Sequence, residues 1–255
     1  MFRAMVWVLV LVLGMGCRVQ DYSSDSLPIS HALWSDLLQK HVDEEGWVDY
    51  KGFIKDSVRL NEYLELLSGH HPNPSNWSVP ERKAYWINAY NAFTVKLITR
   101  HYPVEGIKKI KPGIPFVNSV WDIKFIEIEG QTYDLNNLEH GILRKKFKDP
   151  RIHFALNCAS VSCPRLQGSA FTADSLDQQL NAAGKQFLQE DLRNRIQSDA
   201  LEISSIFKWY KGDFVSRDQS LIDFLNPFAP VAISPDADIE YLDYDWRLNE
   251  QGVME

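Results

Sequence analysis

The sequence predicts a single α+β domain with a central buried helix, several peripheral helices and a small sheet of short strands. Three observations carry that expectation. Helical and strand-like segments follow one another without the alternation that strand–helix–strand crossovers require. Residues 84–95 are uncharged and apolar all round, apart from two asparagines and a threonine, as a helix buried on most sides should be. A content of 45% apolar and 12% aromatic side chains in 255 residues is enough for a substantial core.

The amino-terminal residues have the layout of a secretory signal: Arg3, an apolar run over 6–13, then Gly14, Met15, Gly16 and Cys17. The run is short for a bilayer span. Gly16 before Cys17 is similar to the processing site of a bacterial lipoprotein, with Gly14 where that motif usually has Leu. The expectation is a signal peptide over 1–16 and an acylated Cys17 that anchors the chain to a membrane outside the cytoplasm, with simple cleavage as the alternative. Residues 17–30 then form a polar tether, 31–249 the globular domain, and 250–255 a frayed tail.

In the domain, Leu33, Trp34, Leu37, Leu38 and Val42 recur at helical spacing, and a second helix over 53–67 carries Leu60, Tyr63, Leu64 and Leu67 on one stripe. His70 and His71 lie among prolines and read as a solvated loop rather than a metal pair. Ser78 and Glu81 have capping-box spacing with Pro80 in the first turn, which starts the long helix; His101, Tyr102 and Pro103 stop it. Asn88 and Asn91 are its anomaly. Three residues apart and buried, each needs hydrogen-bond partners, either a neighbouring loop's backbone or a catalytic group that it orients.

From residue 107 the pattern becomes short and two-fold: 107–110, a turn over 112–115, strands at 120–128 and 131–133 joined by Glu129 and Gly130 as a hairpin turn. A helix over 135–146 follows, with Glu139 on one face and His140 on another, the latter beside Asn136 and Arg144 at four-residue spacing. Residues 151–164 read as a strand running into a turn that holds Cys158 and Cys163. Beyond them come a helix from Thr172 or Asp174 to Leu188, a strand at 201–203, an aromatic piece at 206–210, a short helix at 221–225 and a terminal strand over 239–249.

A formal charge of −7 gives no electrostatic footprint for nucleic acid, which is not an expected partner. The chemistry centres on the two cysteines of the domain. They form a disulfide, a redox pair, or one of them is a nucleophile; their five-residue separation is not Cys-x-x-Cys. As a nucleophile Cys158 needs a base. On a regular strand His153 would face away from it, so His140 is the expected base, with Glu139, Asn88 or Asn91 as orienter. Asn157, His153 and Trp86 are candidate binding residues. No spacing supports a metal site or a cofactor. The aromatic residues Trp209, Tyr210, Tyr241, Tyr244 and Trp246 either pack in the core or form a binding surface.

Five blocks carry a family likeness: 84–92 (Ala-Tyr-Trp-Ile-Asn-Ala-Tyr-Asn-Ala), 138–144 (Leu-Glu-His-Gly-Ile-Leu-Arg), 153–164, 207–210 with Asp213 and Phe214, and 244–249 (Tyr-Asp-Trp-Arg-Leu-Asn). In this order the chain resembles the domain-of-unknown-function 547 family over residues 77–249. The resemblance implies an exported bacterial protein and brings no activity with it. The expected function is a cell-envelope thiol-dependent hydrolase or acyl transferase with a Cys–His centre. The alternatives are a thiol–disulfide redox protein and a non-catalytic binding or structural protein with a Cys158–Cys163 disulfide. The substrate, a small molecule or peptide, is not legible.

Overall fold

The long helix sets the architecture. In a computed structural model, which describes residues 22–111, 113 and 119–253, it runs over Val79–His101 and starts at the Ser78–Glu81 capping box. The expected signal peptide, Cys17 and most of the 112–115 turn lie outside the described residues. Numbered with the helices before it, this is α4. Against it pack α2 (Tyr50–Lys55) and α3 (Ser57–Ser68), and α1 (Ala32–His41) packs on those two. Residues 53–67 are thus two helices rather than one. The break falls at Asp56, whose carboxylate accepts from His41 Nε2 at 2.7 Å and Lys40 Nζ at 2.6 Å.

A hairpin of β1 (Ile126–Ile128) and β2 (Gln131–Tyr133) follows, with Glu129 and Gly130 both at positive φ, as a two-residue turn between twisted strands requires. The first strand is shorter than expected, because Val120–Asp122 wind into a 3-10 turn capped by Ser119. Residues 107–109 are also a 3-10 turn rather than extended. The helix expected over 135–146 is a π-helix, Asn137–Phe147.

The second half holds α5 (Leu176–Leu188) and a three-stranded sheet. In it β4 (Ala200–Ser204) pairs antiparallel with β3 (Arg195–Ile196) and parallel with β5 (Asp238–Leu242). Three short helices, α6 (Ile206–Trp209), α7 (Lys211–Phe214) and α8 (Leu221–Leu225), lie between β4 and β5. The expected terminal strand stops at Leu242; beyond it the backbone leaves the sheet and bonds elsewhere. The fold is α+β, as the sequence predicts.

Two apolar clusters form the interior. One surrounds α4; the other is rich in phenylalanine and gathers Phe154, Phe187, Phe207, Phe214, Phe224 and Phe228. The cysteine stretch lies on the seam, with Ile152, Ala155, Leu156 and Ala159 in the first cluster and Phe154 in the second. Elsewhere polar groups stitch the chain. Ser24 donates to Glu129 and Ser26 to the carbonyl of His71, while Trp77 Nε1 donates to the Ser26 carbonyl, so part of the expected tether lies against the domain. His71 is buried, not solvated: its Nδ1 donates to the Pro72 carbonyl and its Nε2 accepts from the Tyr133 hydroxyl. At the other end Gln251 N–H bonds Val48 and Tyr102 bonds Glu250, where fraying was expected. Among the described residues no helix is long and apolar enough to cross a membrane.

Candidate functional site

The stretch 151–164 is not a strand. Asp149 caps a 3-10 helix, Pro150–Phe154, and the backbone then follows a loop that polar side chains hold at nearly every residue. Asn91, on α4, donates to the Ala155 carbonyl and accepts from the Asn157 N–H, both at 2.9 Å. Asn157 donates to the Pro164 carbonyl at 2.7 Å and accepts from the Ala159 N–H at 2.9 Å, closing the turn from within. Ala159 sits at φ 59, a left-handed conformation costing a non-glycine residue about 1–2 kcal/mol, which these bonds offset. Asn88 makes the same two-way pairing with the backbone of Phe171. Both α4 asparagines therefore spend their amides on loops, and neither orients a histidine.

The far side of the turn is held by residues 245–248. Val161 N–H bonds the Arg247 carbonyl, Ser162 N–H bonds Asp245, and Leu248 N–H bonds Glu105. The approach is close: a Cβ on Gly106 would meet the Trp246 carbonyl at 2.2 Å, so only glycine fits there. This segment brings Tyr244 and Trp246 to the cysteines.

Between these elements opens a cleft of about 580 Å³. On its floor the two sulfurs lie 2.7 Å apart as free thiols. Cys163 is buried and Cys158 is partly exposed to the cleft. The Cys158 Sγ also lies 3.2 Å from the Ser160 hydroxyl and 3.3 Å from that of Tyr244. Burial pushes the Cys158 thiol up, but hydrogen bonds from Cys163, Ser160 and Tyr244 outweigh it and bring the group below its ordinary value. Cys163 moves the opposite way, raised by burial and then by the neighbouring sulfur. Tyr244 is held protonated, first by burial and then by the charge on the sulfurs, so its hydroxyl stays a donor. Of the two sulfurs, Cys158 is thus the one that ionises more readily, and it is the one that meets the cleft.

The wall carries the imidazoles. The π-helix and the Asn136 that precedes it bring Asn136, Glu139, His140 and Arg144 to the same cleft. Arg144 forks onto Asp213 of α7, with Nη2 to Oδ1 at 2.9 Å, and Nη1 lies 2.9 Å from His140 Nδ1. A guanidinium only donates, so His140 Nδ1 accepts and its proton sits on Nε2. Glu139 Oε1 is 3.9 Å from that imidazole, too far to orient it, and instead receives the Tyr210 hydroxyl. His153 donates from Nε2 to Asp213 Oδ2 at 2.7 Å and stacks on Tyr210 with ring centroids 4.1 Å apart. Asp213 is held well below the usual carboxylate range: burial works against ionisation, but the bonds from His153 and Arg144 prevail.

Several expectations change here. His153 lines the same cleft as Cys158, because a 3-10 helix lacks the strand alternation that set them on opposite faces. His140 lacks the free Nε2 lone pair of a base, whereas His153 keeps one on Nδ1 when neutral. Neither imidazole bonds Cys158. Trp86 is not in the cleft; it lines a second cavity behind α4. Asp213 and Ser160 were not assigned site roles from the sequence, although the family blocks held both, and Tyr244 was considered only as part of an aromatic binding surface, not as a donor to the sulfur. Trp209, Tyr244 and Trp246 form an aromatic flank, with Lys108 Nζ 3.6 Å above the Trp246 ring; Trp209 is 49% exposed and Tyr241 is not part of the cleft. Among the described residues no three His, Cys, Asp or Glu side chains converge as a metal-binding group.

Fold and cleft together define an α+β protein with a paired-cysteine floor and an Arg–Asp–His wall. Residues 74–188 match the model of a family described as "Protein of unknown function, DUF547", which supports placing the chain in that family. The matched segment holds α4, the π-helix and both cysteines; Asp213 and Tyr244 lie beyond it. No curated protein and no solved structure matches the chain.

Proposed function

We propose that the chain is a thiol-dependent enzyme of the cell envelope, anchored through Cys17, and that its reaction is thiol–disulfide exchange. The observation that carries this reading is the sulfur pair: Cys158 and Cys163 stand 2.7 Å apart, shifted in opposite directions, with Cys158 the one open to the cleft. The Cys158 thiolate attacks one sulfur of a substrate disulfide, and the other sulfur leaves as a thiolate that takes up a proton. That step removes the Cys158 charge, one of the two influences of the neighbouring sulfur that keep Cys163 protonated. Cys163 then loses its proton and attacks Cys158 Sγ, expelling the second substrate thiolate. The substrate gains two electrons and the protein holds a disulfide, which an external dithiol reduces for the next cycle. The signal-like order of residues 1–16, one cation, an apolar run and then small residues, supports the envelope location.

A second reading, acyl transfer on Cys158, draws on the His153–Asp213 pair in the same cleft. Cys163→Ser separates the two. Under exchange, this variant accumulates a mixed disulfide between Cys158 and a small disulfide such as hydroxyethyl disulfide, visible by intact mass, and no longer turns over. Retained turnover with an acylated Cys158 on a thioester substrate supports the second reading. Failure of Cys158 to react with iodoacetamide or with the disulfide at neutral pH sinks both.

A further inference from the structure

We propose that the cavity behind α4, which Trp86 lines, is a binding site for a phosphate-bearing anion. It measures about 680 Å³ and opens between the first turns of α4, the outer face of the π-helix and the 71–74 loop, apart from the cysteine cleft. Three cations line it, Arg82, Lys145 and Lys146, and no carboxylate does. Among the described residues Arg82 and Lys145 have no ion-pair partner, in a chain whose other buried or half-buried arginines, Arg59, Arg144, Arg151, Arg165 and Arg193, are each paired with a carboxylate. The Nε of Arg82 is buried with no hydrogen-bond acceptor among the described residues. Such a donor costs about 1–3 kcal/mol unless something accepts from it.

The neighbouring groups do not fill that need. His71 is neutral, with both ring nitrogens occupied by Pro72 and Tyr133. The Glu129 carboxylate is turned to the Ser24 hydroxyl and the His71 N–H. The guanidinium of Arg82 and the ammonium of Lys145 match a tetrahedral oxyanion of more than one charge better than a single carboxylate, since each cation finds its own oxygen. Trp86, Ile142, Phe147 and the two loop prolines add an apolar strip for an organic substituent. Tyr22 stands on the rim, five residues after Cys17, so with that cysteine acylated the cavity lies beside the attachment to the bilayer, where lipid headgroups carry the same phosphate.

The test uses the full chain in neutral detergent, titrated with inorganic phosphate, and the same chain mixed with vesicles of phosphatidylglycerol or of phosphatidylcholine. The expected result is saturable binding of phosphate, of phosphatidylglycerol vesicles, or of both, weakened at least about tenfold by Arg82→Gln and by Lys145→Glu. Cys158 alkylation should remain unchanged in both variants. Phosphate binding without vesicle preference assigns the site to a soluble phosphate; a preference for phosphatidylglycerol that both variants abolish assigns it to a lipid. Lys145 is exposed, so its variant folds and decides the matter if Arg82→Gln does not. Binding of neither probe, or binding that Lys145→Glu leaves intact, overturns the proposal.

Discussion

The floor and the wall of the cleft use the same kinds of hydrogen bond to opposite ends. On the floor, donors converge on a sulfur and favour its charge: Tyr244, Ser160 and Cys163 surround Cys158. On the wall, the donors of Arg144 and His153 converge on Asp213, and the imidazoles are fixed by a cation and a carboxylate that neutralise each other. The difference teaches that the thiol is tuned by hydroxyls and a second thiol, without an imidazole partner. The wall is a rigid polar surface that a substrate meets, and its histidines hold their protons at assigned nitrogens.

The largest test of that contrast is Cys158→Ser, which should abolish thiol–disulfide turnover by roughly 10³-fold or more while leaving Cys163 unreactive toward iodoacetamide. Next is Asn91→Ala, which leaves the Ala155 carbonyl and Asn157 N–H unpaired in the core. A loss of about 2–4 kcal/mol in urea denaturation is expected, and a near-neutral result would mean that the floor is held by something else.

Acid probes the cap of the 3-10 helix that leads into the floor. Burial alone would raise Asp149, but Arg151 and Lys83 lower it to about 2, so its folded value lies below the unfolded one near 4. Its contribution is therefore complete above pH ~4 and is lost as the pH falls toward 2. It amounts to ~2 kcal/mol, and Asp149→Asn should remove that part of the acid dependence of stability. Smaller again is Tyr244→Phe: the pH midpoint of Cys158 alkylation should rise by about one unit, slowing the reaction near pH 7 roughly tenfold. The smallest effect belongs to His140→Ala, which should leave that profile within about twofold. A shift as large as that of Tyr244→Phe would erase the distinction between floor and wall.

What the sequence makes legible is what local chemistry decides. The Ser78–Glu81 box and Pro80 mark the start of α4 to the residue, and the two buried asparagines are legible as groups that must find partners. The partners are not, because Ala155, Asn157 and Phe171 come from loops 64 to 83 residues away. Residues 151–158 mimic a strand because their small and apolar side chains alternate; only the Asp149 cap and the Asn157 turn, both side-chain-to-backbone bonds, bend them otherwise. The π-helix escapes a reading built on α-helical periodicity. Asp213 and Tyr244 reach the cleft through tertiary contacts that no local spacing encodes.

The hold of residues 244–248 on the cysteine turn also sets an order of events. A ribosome adds Tyr244 86 residues after Cys158, a delay of about 4–17 s at ordinary rates of synthesis. Throughout that interval the sulfur lacks one of its hydroxyl donors and remains closer to an ordinary thiol. The full reactivity of the sulfur therefore arrives only when its distant partner has been made and has docked.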